Sequence, residues 1–165
     1  MKPPVITLEQ VQELDHLMRL VVPSEYEDEN GHMNVRHYLS IFDDAGYPMV
    51  DSFGLSADFH QKHGTGGFDL EHHIHFLREV LIGDTVSVYV RMVGRSTKRM
   101  HYLLFMVNES QNTLASIFEC VNSFADLQQR KTAPYPVEIA MKIDAVLARH
   151  QALSWEAPVF GIMSA

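Results

Sequence analysis

The sequence lacks the features that anchor or cross-link an exported protein. It has one cysteine, Cys120, so no disulfide can form within the chain, which fits a reducing compartment. The apolar flanks of Cys120 are typical of a core strand rather than of a nucleophile. No apolar stretch reaches the roughly 20 residues of a membrane span, and the first residues do not resemble a signal peptide. These absences predict a cytoplasmic protein that does not act in a membrane.

Positive charge is also scarce. The 13 Lys and Arg residues against 21 Asp and Glu residues give a net charge of -8, which disfavours nucleic-acid binding by phosphate neutralisation. An anionic ligand therefore needs a local basic cluster, and the turn "GRSTKR" offers Arg95, Lys98 and Arg99. Because a solvated hairpin tip has the same composition, both explanations stay open.

The 165 residues suit one domain, which we predict over 1–165, with a core at about 17–127 and a C-terminal helix at about 136–150. "TLEQ" fits a capping box that begins a short helix ending near His16, and a strand follows over 17–23. The longest helix begins after the N-cap Asn34, is bent at Pro48 and ends near Gly54. Its apolar positions recur at helical spacing: Val35, Tyr38, Leu39, Phe42, Ala45 and Met49.

The second half of the chain reads as a sheet. A flexible connection over 60–67 precedes strand-like runs at about 68–80, 84–94, 99–108 and 113–125. The order predicts an α+β fold with one antiparallel sheet and one long helix. Because one helix cannot cover both faces, an uncovered face or an open edge predicts self-association.

Candidate chemistry lies in "DENGHMN", residues 28–34, just before the long helix. The first amides of a helix have no internal partner and can polarise a carbonyl, while Gly31 allows a ligand to approach the backbone. Asp28 supplies a carboxylate that can act as a nucleophile or as a general base for water. Asp, Asn and Gly are equally ordinary as capping and turn residues, so spacing alone does not decide.

The stretch "DENGHMNVRHYLSIFDDAG" resembles the Asp-x-x-Gly-His-x-Asn motif and following helix of hotdog-fold acyl-CoA thioesterases of the 4-hydroxybenzoyl-CoA type. "LEHHIHFLREVLIGDTVSVYVRM", "KRMHYLLFMV" and "ASIFECVNSFAD" are similar to the strands of that family, so the resemblance spans most of 17–127. "GHMN" with "LExH" is similar to the subgroup that includes betainyl-CoA thioesterases. The implied fold is a hotdog, an antiparallel sheet wrapped around one long central helix.

The resemblance implies roles for individual residues. Asp28 matches the catalytic carboxylate, and Val35 matches the residue whose backbone N–H polarises the thioester carbonyl. Gly31, His32 and Asn34 match the rest of the motif, with His32 either orienting Asp28 or packing at the helix start. Many members carry a second acid where this chain has Tyr26, which leaves Asp28 as the sole candidate in the loop. The family also implies a homodimer or homotetramer, an acyl-CoA substrate and no cofactor beyond that substrate.

A histidine-rich strand, "FDLEHHIHF", carries further candidates. Strict alternation places Asp69, Glu71, His73 and His75 on one face. Such histidines beside a carboxylate can bind a metal, but the family needs none, so we expect no metal. We expect Glu71 and His73 to line a substrate cleft at a dimer interface, or to form a solvated face.

Two other functions remain. Hotdog enoyl-CoA hydratases place a histidine where this chain has Met33, which favours hydrolysis, and a noncatalytic acyl-CoA-binding dimer would keep the same fold. The acyl group is open. Aromatic residues could enclose an apolar chain, a ring or a quaternary ammonium, or could simply pack in the core: Tyr38, Phe42, Phe68 and Phe76.

Overall fold

The computed structural model describes residues 6–165 and consists of an antiparallel sheet with helices on both of its faces. The strands are β1 (Asp15–Val21), β2 (Thr65–Phe76), β3 (Thr85–Arg95), β4 (Arg99–Asn108), β5 (Thr113–Asp126) and β6 (Lys131–Thr132). The helices are α1 (Leu8–Gln12), α2 (Val35–Ser52), α3 (Ala57–His63) and α4 (Val137–Gln151). None of the helices within residues 6–165 has the length and apolarity needed to cross a bilayer.

The sheet follows the order β1-β3-β4-β5-β2, and the short β6 pairs with the end of β5. All neighbouring strands are antiparallel, and β4 in the centre is buried on both faces, as the apolar run "HYLLFMV" predicts. The long helix α2 packs its buried side chains against one face of the sheet. This arrangement confirms the predicted α+β hotdog fold.

Helix α2 begins and ends where the sequence predicts. The Asn34 side chain accepts a hydrogen bond from the amide of Arg36 at 3.2 Å, and Gly54, with φ of 90°, follows the last turn. The helix continues through Pro48. Two positions of the predicted apolar face are exposed, since Val35 is 61% exposed and Leu39 is 40% exposed.

Three predicted boundaries are wrong. Helix α1 ends at Gln12 rather than near His16, because the chain has already joined the sheet at Asp15. The segment 60–67 is not a flexible connection, since it completes α3, which Ser56 caps, and then begins β2. Strand β2 ends at Phe76 rather than near residue 80, because the next two amides both turn to the carbonyl of Ala115.

A bulge in β2 changes which side chains share a face. Asp69 pairs with Asn122 and Glu71 pairs with Val121, so Leu70 is an extra residue in the strand. Strict alternation therefore fails at this point. Asp69 lies on the same face as His72, with a hydrogen bond between Oδ2 and Nε2 of 2.8 Å, rather than with the other predicted members of its face.

The face of the sheet opposite α2 is covered by the chain itself. Helix α1 and the segment after α4 pack there around Trp155, which is 7% exposed. The guanidinium of Arg91 lies 3.9 Å from the centre of the Trp155 ring and donates to its carbonyl at 2.7 Å. The expectation that one face would stay uncovered is therefore wrong. Within residues 6–165 the two edge strands of the sheet, β1 and β2, each have one unpaired edge.

Candidate active site

The loop before α2 is a tight backbone hairpin. The amide of Asp28 donates to the carbonyl of His32 at 2.9 Å, and the amide of Gly31 donates to the carbonyl of Asp28 at 3.1 Å. Gly31 has φ of 81°, which L side chains rarely adopt, so a glycine suits this turn. The amide of Met33 then donates to the carbonyl of Val80 at 2.8 Å, which joins the loop to the segment that follows β2. These backbone hydrogen bonds therefore fix the position of the Asp28 backbone, from which its carboxylate extends.

The Asp28 carboxylate has a polar neighbour at each oxygen and is 13% exposed. Oδ1 accepts from the amide of Asn30 at 2.8 Å, and Oδ2 lies 3.2 Å from Nδ1 of His32. Burial acts to raise the pKa of Asp28, but the hydrogen bond from Asn30 and the charge of His32 outweigh it, so the pKa lies below its usual value. The group is therefore an ionised carboxylate at neutral pH.

Not every backbone amide at the start of α2 has a hydrogen-bond partner within residues 6–165. The amide of Asn34 donates to the carbonyl of Tyr26 at 2.8 Å, and those of Arg36 and His37 donate to side-chain and backbone oxygens of Asn34 at 3.2 and 3.0 Å. The amide of Val35 has no partner among residues 6–165. A helix amide left without a partner can donate a hydrogen bond to an oxygen of a ligand, and this amide lies at the positive end of an 18-residue helix.

Asp28 and Val35 line the same pocket, which has a volume of about 350 Å³. Tyr38 and Phe76 form part of its wall, with ring centres 5.0 Å apart in an edge-on arrangement. The structure thus brings together five predicted site residues at this helix end: Asp28, His32, Asn34, Val35 and Tyr38. Gly31 lies in the same hairpin.

The predicted basic turn lies elsewhere in the chain. Arg99 on β4 pairs with Ser123 on β5, and Ser123 pairs in turn with Phe68 on β2. The Asp28 pocket is at the other end of β2, near Phe76. Within one chain the turn is therefore at the opposite end of the sheet from Asp28. Arg95 is also committed to an ion pair, since its guanidinium binds both oxygens of Asp144 and holds the pKa of that carboxyl below its usual value.

Glu71 and His73 are likewise outside the Asp28 pocket. Glu71 is exposed on the β2 edge. The ring of His73 stacks on Phe160 of the C-terminal segment, with ring centres 3.9 Å apart, and His75 contacts the same ring edge-on at 4.1 Å. The two histidines therefore pack with Phe160, on the face of the sheet that the C-terminal segment covers.

Sequence reasoning missed a larger cavity of about 520 Å³ between α2, α3 and the sheet. We call it the aromatic cavity. Phe42 and Phe68 were candidates from the sequence. No local sequence pattern indicates that aromatic residues from distant parts of the chain line the same cavity. Its aromatic lining residues are Phe42, Tyr47, Phe68, Tyr102, Phe118, Phe124 and Tyr135.

Beside this cavity lies the one group within residues 6–165 that has the composition of a metal site. Potential ligand atoms of Asp69, His72 and Cys120 are within 4.8 Å of one another. Burial raises the pKa of the Cys120 thiol far above its usual value, so the thiol is protonated and inert at neutral pH. The predicted grouping of Asp69 with His73 and His75 is wrong, because the bulge at Leu70 turns Asp69 to the other face.

Comparison with known proteins agrees with the fold and the activity class. The sequence profile of the Thioesterase-like superfamily matches residues 21–146, and the chain belongs to this family. The chain is an acyl-CoA thioesterase by family and by relatives.

Two relatives and two solved structures illustrate the similarity. The betainyl-CoA thioesterase of Pseudomonas aeruginosa is 30% identical over 131 residues, covering 78% of this chain and 81% of the relative. The L-carnitine dehydrogenase/betainyl-CoA thioesterase of Agrobacterium fabrum is 29% identical, over 75% of this chain and 25% of that longer protein.

A Staphylococcus aureus protein solved in complex with CoA superposes with a TM-score of 0.82 at 25% identity, covering 92% of this chain and 96% of that one. The 1,4-dihydroxy-2-naphthoyl-CoA thioesterase of Synechocystis has a TM-score of 0.69 at 19% identity, covering 77% and 93%, and it shares the fold.

Proposed function

We propose that this protein hydrolyses an acyl-CoA thioester at the pocket that Asp28 and Val35 share. The observation that carries the proposal is the free amide of Val35 in the same pocket as an ionised carboxylate. A carbonyl placed between them is polarised by the amide and approached by the carboxylate. Donors aimed at a developing oxyanion are worth about 3 to 4 kcal/mol each in hydrolases that use them.

The chemistry has two routes from this geometry. In one, an Asp28 oxygen attacks the thioester carbon, the C–S bond breaks to release the coenzyme A thiolate, and the mixed anhydride left on Asp28 is then hydrolysed by water to restore the carboxylate. In the other, Asp28 takes a proton from water as the water oxygen attacks the same carbon. In both routes the Val35 amide donates to the carbonyl oxygen as it becomes negative. The C–S bond then breaks, the thiolate takes up a proton, and the products are a carboxylic acid and free coenzyme A.

His32 positions the carboxylate in this scheme. Its Nδ1 atom and the Asn30 amide hold the two oxygens of Asp28 from different sides. A carboxylate held in this way has one orientation toward the pocket. His32 is therefore a positioning residue, and Asn34 serves as the cap that fixes the start of α2.

A second copy of the chain completes the proposed site. The β2 edge is long and carries exposed apolar side chains, with Phe68 67% exposed and Phe76 51% exposed. Such an edge is normally covered. Antiparallel pairing of two β2 strands about a two-fold axis would set the Phe68 end of one chain beside the Phe76 end of the other.

This pairing also gives the basic turn a role. Because Arg99 is level with Phe68, a two-fold dimer would bring Lys98 and Arg99 near the Asp28 pocket of the second copy. There they can bind the phosphates of coenzyme A, whose negative charge the chain as a whole would repel. Arg95 is left out of this proposal because Asp144 occupies its guanidinium. Glu71 and His73 would lie at the interface rather than beside the reacting carbon.

Hydration of an enoyl-CoA is the weaker alternative. The position where hydratases carry a histidine is Met33, which is 2% exposed and packs in the core. No acid-base group therefore stands there. Only a measurement of turnover distinguishes a hydrolase from a noncatalytic acyl-CoA-binding protein.

Release of free thiol from acyl-CoA esters tests the proposal, and the relatives named for betainyl-CoA make that ester the first one to assay. We expect Asp28→Asn to reduce kcat by at least about a hundredfold while acyl-CoA still binds. Glu29→Gln, at an exposed neighbour, is the matched control and should keep full activity. Equal rates for Asp28→Asn and the parent protein would remove Asp28 from the mechanism.

A further inference from the structure

The aromatic cavity has the walls of a cation-binding site. Five of its rings are buried, Phe42, Tyr102, Phe118, Phe124 and Tyr135, and each is at most 6% exposed. Aromatic faces attract cations through their quadrupole, and the attraction is strongest where water is excluded. A cavity of about 520 Å³ is large enough for a compact group with several methyl substituents.

The charges that line the cavity are negative. Asp43, Asp51 and Asp69 contribute carboxylates, and His60 is the one basic side chain among the described residues of the lining. Burial lowers the pKa of His60, so it adds no positive charge at neutral pH. A pocket of this composition repels anionic groups and attracts cationic ones.

Asp69 can act as the counter-ion of a cation that donates no hydrogen bonds. Its Oδ1 accepts from the Asn122 side chain at 2.6 Å, and its Oδ2 lies 2.8 Å from Nε2 of His72. Both oxygens therefore have partners before any ligand binds, yet the negative charge remains. A quaternary ammonium has no N–H to offer, so it needs only charge and apolar contact from such a carboxylate.

Tyr135 gives an independent sign that the cavity holds a ligand. Its side chain lines the cavity and is 6% exposed, and its hydroxyl has no hydrogen-bond partner among residues 6–165. A buried hydroxyl without a partner costs about 1 to 3 kcal/mol. A polar atom of a bound molecule, or the water that accompanies it, would satisfy the group.

We propose that the aromatic cavity binds the cationic end of the acyl group, a quaternary ammonium, with Asp69 as its counter-ion and the aromatic rings as its walls. This inference rests on the proposed thioesterase function and on the two-fold arrangement through β2. Within one chain the cavity extends along α2 from Leu39, about 6 Å from Val35, to Asp51, about 24 Å from it. In the two-fold dimer the Asp28 pocket of the second copy would lie beside the Phe68 end of the cavity.

The same residues fit a metal ion less well. A metal at Asp69, His72 and Cys120 would need the buried thiol to lose its proton. An organic cation does not require this change. The cavity is also wider than one ion needs.

A pair of acyl-CoA esters that differ only in charge tests the proposal. Betainyl-CoA ends in a trimethylammonium group, and 3,3-dimethylbutanoyl-CoA replaces its nitrogen by carbon with the same shape. We expect the parent protein to prefer the cationic ester, and Asp69→Asn to reduce that preference in kcat/KM by about ten- to a hundredfold. The neutral ester should lose less kcat/KM than betainyl-CoA in this variant, since it has no charge for Asp69 to pair with.

Asp44→Asn is the matched control, because Asp44 is exposed on α2 beside Asp43 and does not line the cavity. It should keep the preference of the parent protein. A parent protein that treats both esters alike, or an Asp69→Asn variant with undiminished preference, would overturn the assignment. A preference for the cationic ester that appears only when Zn²⁺ is added would also overturn the assignment and would indicate a metal site instead.

Calorimetric titration of the Asp28→Asn protein with the two esters separates this inference from the proposed function. Tighter binding of betainyl-CoA that Asp69→Asn removes would support the cation site even if no protein hydrolyses either ester. Turnover of both esters at equal affinity would leave the thioesterase in place and reject the cation site.

Discussion

Nδ1 of His32 lies 3.2 Å from Oδ2 of Asp28, four residues earlier in the chain. The hairpin bonds between the two backbones bring these side chains to the same side of the loop. The charge of His32 is one of the influences that lower the pKa of Asp28. The pair therefore links the protonation of the proposed catalytic carboxylate to a neighbouring imidazole.

Replacing His32 should change the pH dependence of hydrolysis. The reaction needs ionised Asp28, so the rate falls as pH drops through the pKa of that group. Because His32 lowers this pKa, His32→Gln should move the acid limb of the kcat/KM profile to higher pH. The loss at neutral pH should be smaller than that of Asp28→Asn. His37→Gln, at a residue that stacks on Tyr26 outside the pocket, is the control, and an acid limb that stays in place would contradict the positioning role.

Removing the Val35 amide hydrogen should impair catalysis without unfolding the helix. Proline is tolerated at the first helical position, and Asn34 already has φ of -61° and ψ of 140°, which suit the residue before a proline. We expect Val35→Pro to lower kcat by about a hundred- to a thousandfold. Val35→Ala keeps the amide and should remain active. Circular dichroism checks that both variants are folded, and an active, folded Val35→Pro protein would exclude this amide as the oxyanion donor.

The exposed β2 edge predicts a dimer in solution. The outer face of the sheet is covered by α1 and by the segment around Trp155, so association through that face is blocked. Analytical ultracentrifugation should show twice the mass of one chain, and Leu70→Lys on β2 should weaken the dimer. Val21→Lys, at a 58% exposed site on the opposite edge, should not. The reverse outcome would place the interface at β1, and a tetramer would show that the outer face also associates.

The C-terminal segment should contribute to stability through Trp155. Truncation of a buried tryptophan removes its packing and leaves a cavity, which typically costs about 3 to 5 kcal/mol. Trp155→Ala should lower the free energy of unfolding in urea by an amount in that range. Ile162→Ala, at a site that is 74% exposed, should change it by less than about 0.5 kcal/mol. A Trp155→Ala protein as stable as the parent would mean that the segment does not hold the sheet face.

The sequence located the proposed chemistry because each signal there is local. Capping, turn geometry and the helix start depend on residues a few positions apart, so Gly31, Asn34 and the course of α2 follow from their neighbours. Asp28 and Val35 came from a resemblance that covers this same contiguous stretch. The predicted strand limits were wrong where long-range pairing competes with local preference, as at Gly66 and Gly67, which pair with Ala125 and Phe124 respectively.

By itself, the sequence determined the α+β class, the long helix and the acidic loop ahead of it, since periodicity and capping are written in adjacent residues. Only the tertiary structure decided that Leu70 forms a bulge and that Asp69 faces His72 and Asn122. It also decided that Tyr135 lines a cavity whose other lining residues are distant from it in the sequence. It also decided that Arg95 is bound to Asp144 and that the C-terminal segment covers the outer sheet face. The reason is physical: which side chains meet across a sheet depends on register, and one inserted residue reverses every face that follows it.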